Sequence, residues 1–139
     1  MNRIWASIAT VALAGMLILA AGEGDKYKKY VNEYPSAMLK AEPVVKQRLQ
    51  TLLGANNRFF MDRLQVESPI EVVSGFLTGS ACQAHGCGVE MAMFFINMSN
   101  GKLSAAIRSD SYTTKDKVKI FSEEQGNFPY AAMNHVLGQ

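Results

Sequence analysis

Residues 89–98, Val-Glu-Met-Ala-Met-Phe-Phe-Ile-Asn-Met, constrain the fold more than any other stretch. Met91, Met93 and Phe95 alternate with Ala92, Phe94 and Ile96, so an extended chain here is apolar on both faces. Such a strand is covered on both sides rather than on one. Ser99-Asn100-Gly101 follows it, and an Asn-Gly pair supplies the positive φ that a hairpin turn needs. Leu103 to Arg108 is then the partner strand.

The flanks extend this hairpin into a sheet. Ile70–Val73 and Phe76–Thr78 are short β-branched or aromatic runs around Ser74-Gly75, the pattern of a tight hairpin. Lys117 to Phe121 supplies a fifth strand, with Val118 and Ile120 expected to face inward. Gly126 and then Pro129 introduce a closing helix through Val136. Ahead of the strands, Pro43 fits the first position of a helix, where its missing N–H costs nothing. Val44, Val45, Arg48, Leu49, Leu52 and Leu53 fall on one helical face, and Gly54 stops it. A short helix over Asn57–Leu64 buries Phe59, Phe60 and Leu64. Ser36 is expected to cap a turn through Lys40, and residues 26–35, with three tyrosines, to pack onto the domain. The order α-α-β-β-β-β-β-α predicts an α+β domain, an antiparallel sheet with helices before and after it and on both faces.

The domain starts after a distinct N-terminal segment. Met1-Asn2-Arg3 is a short basic start, Ile4 to Ala21 is apolar, and Ala20-Ala21-Gly22 closes the run with small residues before Glu23. That is the pattern of a cleavable secretory signal over residues 1–22, with an uncleaved anchor helix as the competing reading. Cleavage leaves residues 23–139 as one exported domain without a stable membrane anchor, monomeric or homodimeric. All 12 acidic residues and 13 of the 14 basic ones lie from Glu23 onward, so its net charge is +1. That balance argues against a nucleic-acid partner, which calls for a clustered basic face.

Ala81-Cys82-Gln83-Ala84-His85-Gly86-Cys87-Gly88 lies between two of the strands and holds the only two cysteines and one of two histidines. Export makes a Cys82–Cys87 disulfide chemically allowed. Four intervening residues do not match the Cys-x-x-Cys of active redox pairs, and haem attachment needs a Cys-x-x-Cys-His that is absent. Structural zinc takes four ligands, and the other histidine, His135, lies in the closing helix, as a surface or cap residue. If oxidised, the six-residue ring removes only about 2 kcal/mol of unfolded-chain entropy, a weak staple for a domain with its own core. It either pins a loop or preorganises one for recognition. Glu71 and Glu90 are candidates for the base of the loop. Met91, Met93 and Met98 read as core filler rather than as metal ligands. Two histidines support no Ser-His-Asp arrangement, so the chain reads as a non-enzyme that needs no cofactor.

Cys-Gln-Ala-His-Gly-Cys in this setting resembles the Cys-x-x-His-x-Cys loop of the inhibitor of vertebrate lysozyme (Ivy) family. The resemblance extends to the Leu-Leu-Gly helix end at Gly54, the Ser-Pro-Ile strand start near Pro69 and the Asn-Gly hairpin. It implies a three-layer α/β/α sandwich around a five-stranded antiparallel meander. It also implies inhibition of c-type lysozyme and evasion of host defence. In that reading Cys82 and Cys87 form the disulfide, and His85 enters the active-site cleft and meets the catalytic carboxylates. Gln83, Ala84 and Gly86 shape the approach. Family loops often read Cys-Lys-Pro-His-Asp-Cys. Gln83, Ala84 and Gly86 depart from that pattern, which implies weaker inhibition or another target, such as an endogenous lytic transglycosylase. The runner-up is a periplasmic module whose loop binds a metal or other ligand. A third reading is a relative of the family that has lost inhibition and acts as an envelope binding module.

Overall fold

The computed structural model describes residues 22–139; the signal or anchor reading falls on residues outside that range, Gly22 excepted. Among the described residues three α-helices precede the sheet: α1 (Pro35–Ala41), α2 (Pro43–Leu53) and α3 (Asn57–Met61). Five strands follow, β1 (Val66–Val73), β2 (Phe76–Cys82), β3 (Met91–Asn97), β4 (Leu103–Arg108) and β5 (Val118–Ser122), and then α4 (Tyr130–Leu137). The sheet is an antiparallel meander in the order β1-β2-β3-β4-β5. The fold is therefore α+β, as the alternation of patterns predicts.

The central strand behaves as its composition requires. Ala92, Phe94 and Ile96 point into one cluster with Met38, Leu39, Val45, Leu49, Leu53 and Phe60 from the first three helices. Met93 and Phe95 point into a second cluster with Ala132, Met133 and Val136 of α4. Gly79 pairs with Phe94, and a Cβ on Gly79 would lie 2.5 Å from the Phe94 ring. A side-chain-free position in β2 is thus what lets the ring lie flat against its neighbour strand.

Several expectations are corrected. β1 begins four residues before Ile70 and runs through Pro69. Proline is tolerated because β1 is an edge strand and its register shifts between Ser68 and Glu71. At that irregularity Ile70 N–H donates to Glu33 O (2.7 Å) and Asn32 N–H to Ile70 O (2.8 Å), so the leading segment covers the edge. Ser36 is not a cap: Pro35 opens α1, and Glu67 of β1 accepts from both Ser36 N–H (2.5 Å) and Ser36 Oγ (2.7 Å). Val44 is 65% exposed and Ile120 43% exposed, so neither is the inward position that its spacing predicts. Packing of the tyrosine-rich entry segment is as expected: the lysines at 26, 28 and 29 lie in a docked 3₁₀ helix, Asp25–Tyr30, whose Tyr27 is buried.

Candidate functional site

Cys82 ends β2 on the α4 face of the sheet and is buried, whereas Cys87, five positions on, is exposed. The two are joined as a disulfide with Cα atoms 5.0 Å apart. Both sulfurs are therefore consumed, and neither is available as a thiolate ligand in this state. Replacing both cysteines by alanine should lower stability by about 2 kcal/mol, the entropy of a six-residue ring, with the two-state transition kept. Urea denaturation of the variant measures this; a loss above about 4 kcal/mol would mean that the ring supports more than its own loop.

Inside the ring the chain turns sharply. Gly86 N–H donates to Gln83 O at 2.9 Å, which makes Gln83–Gly86 a four-residue turn with Ala84 and His85 at its centre. His85 has φ of 64°, in the left-handed region. Holding a non-glycine residue there costs on the order of 1–2 kcal/mol, and such outliers concentrate at functional positions. Turns with positive φ at the third residue favour proline at the second, the place that Ala84 takes. Ala84 instead uses its N–H, which donates to Gln65 Oε1 at 3.0 Å. Gln83, Ala84 and His85 are exposed, Gly86 is half-buried, and the His85 ring enters no hydrogen bond among the described residues. The ring thus presents an unengaged imidazole at the outermost turn.

Below the turn the chain is tied down at Glu90. Gln83 N–H donates to Glu90 O (3.0 Å), and Glu90 N–H donates to Gly86 O (2.8 Å). The Glu90 side chain pairs with Arg63, and its Oε1 accepts from Ser109 Oγ and from Asp110 N–H, both at 3.1 Å. Partial burial raises the Glu90 carboxyl, but the bonds from Arg63, Ser109 and Asp110 outweigh it and hold the group below the ordinary carboxylate range. Glu90 is therefore at the loop base, as expected. Glu71 is not: it lies further along β1 and meets His135 Nε2 at 2.9 Å, which places His135 on the surface near the end of α4. Arg63, Gln65 and Ser109 are missed by sequence reasoning, since each supports the loop from a remote segment and carries no local motif.

No curated protein and no solved structure matched the chain. A family model described as Inhibitor of vertebrate lysozyme (Ivy) matches residues 44–135, from the first turn of α2 into α4. That span holds the whole sheet, the disulfide loop and the Arg63–Glu90 anchor, and it covers well over half of the sequence. The chain belongs to the Ivy family of inhibitors of vertebrate lysozyme.

Proposed function

We propose that this protein inhibits c-type lysozyme by inserting the loop of residues 82–87 into the active-site cleft. The observation that carries the reading is His85, exposed, unengaged and held at φ of 64° at the tip of a closed ring. Glycosidases of this type act through a protonated acid and a nearby carboxylate. An imidazole has two ring nitrogens that can each take part in a hydrogen bond, so one side chain bridges both groups. Gln83, Ala84 and Gly86 lie beside it and fill space that the sugar occupies. The protein acts by occupancy, with no chemistry of its own, on an α/β/α sandwich scaffold.

The proposed site of action is the periplasm, after cleavage of the N-terminal segment, where the inhibitor protects peptidoglycan from host lysozyme. A net charge of +1 from Glu23 onward provides little steering toward a basic enzyme, so association is set by loop fit rather than by long-range attraction. Gln83 and Gly86 carry no charge, which favours endogenous lytic transglycosylases as a second class of target. Competition with a chito-oligosaccharide tests the mode of action. The oligosaccharide should displace the inhibitor from c-type lysozyme competitively; simultaneous binding of both would place the contact outside the cleft.

A further inference from the structure

At the base of the loop lies a polar cluster of Arg63, Glu90 and Ser109, and a Cβ on Gly86 of the tip turn would lie 3.2 Å from Glu90 Cβ. Arg63, 5% exposed, follows α3 and lies against Phe59, with Cζ 3.4 Å from the ring centroid. Its Nη1 donates to Phe59 O at 2.7 Å, while Nη2 pairs with Glu90 and lies 3.5 Å from Ser109 Oγ. A guanidinium this deep is stable only when its charge is compensated, and Glu90 is the carboxylate that compensates it. The main chain of Glu90 in turn holds both ends of the tip turn, through Gln83 N–H and Gly86 O. One residue thus links a buried cation to the His85 turn.

The disulfide does not do this alone. It returns the chain to Cys82 at Cys87, but β3 begins only at Met91. Between them Cys87, Gly88 and Val89 are exposed, and Gly88 has φ of 94° with open space around it. That return leg is fixed where Glu90 is fixed. We propose that Arg63 and Glu90 form a positioning pair that holds the His85 turn in its binding conformation. The binding part of this inference rests on the reading of the loop as a lysozyme plug.

The test combines amide hydrogen exchange with lysozyme inhibition, on wild type, Glu90→Gln and Ser109→Ala. In Glu90→Gln the Gln83 and Gly86 amides should exchange about tenfold faster or more, while Phe94 and Ile96 in β3 keep their protection. Inhibition should weaken by a similar factor. Ser109→Ala removes one bond to Glu90 and leaves the Arg63 pair, so both effects should be smaller, about threefold. Unchanged exchange and unchanged inhibition in folded Glu90→Gln overturn the proposal. Should Glu90→Gln not fold, an unchanged Gly86 amide in Ser109→Ala overturns it. A wild-type protein that does not inhibit sinks the plug reading, and the exchange data then still decide whether the pair orders the loop.

Discussion

His85→Ala should leave the fold as stable as wild type and remove most of the binding to c-type lysozyme. The side chain is exposed and enters no hydrogen bond among the described residues, so its loss costs within about 0.5 kcal/mol of folding stability. In the proposed complex the same side chain would be desolvated at the centre of the contact, beside the two catalytic carboxyl groups. Truncation of a central anchor typically costs about 2–4 kcal/mol, or roughly 30- to 1,000-fold in Kd. Calorimetric titration of lysozyme with both proteins, alongside their melting curves, checks both halves. A variant that binds within a factor of about three of wild type leaves the backbone of the ring, rather than the imidazole, as the determinant.

The largest effect on stability is expected at the centre of the sheet. Phe94→Ala should cost about 3–5 kcal/mol, the range for deleting a buried phenylalanine ring. Phe94 is 1% exposed and lies among side chains from the helical layer and β4. The ring also lies over Gly79, which has no side chain to fill the space left behind. That loss is a large fraction of a typical total stability of about 5–15 kcal/mol. Denaturant titration at constant m-value measures it. A cost below about 1 kcal/mol would show that β2 and the helices collapse onto the gap.

Much of this fold is legible in the sequence because local signals agree with one another. The two-faced apolar run of β3 demands a central strand, and Asn100-Gly101 fixes its hairpin with β4. Ser74-Gly75 does the same for β1 and β2, with positive φ at both residues. The loop is legible because two cysteines and a histidine are rare in this chain and fall together. What escapes the sequence depends on distant partners. Pro69 looks like a strand breaker until β1 proves to be an edge whose ladder is interrupted there. Ser36 looks like a cap until Glu67, 31 residues away, takes its N–H and hydroxyl. Ile120 alternates as an inward residue should, yet it remains 43% exposed. Arg63, Glu90 and Ser109 lie on three separate segments, and only the meander brings them together under the loop. Nor does any glycine mark the positive φ of His85, since the strain falls on the residue that the tip presents.

Inhibition of lysozyme by this loop is read in the turbidity of a cell-wall suspension. Lysis by a c-type lysozyme is followed with increasing wild-type protein, beside His85→Ala at the same concentrations. Wild type should halt the clearing of the suspension, and the variant should do so only at far higher concentration. Clearing at an undiminished rate with wild type in large molar excess would contradict inhibition by the loop.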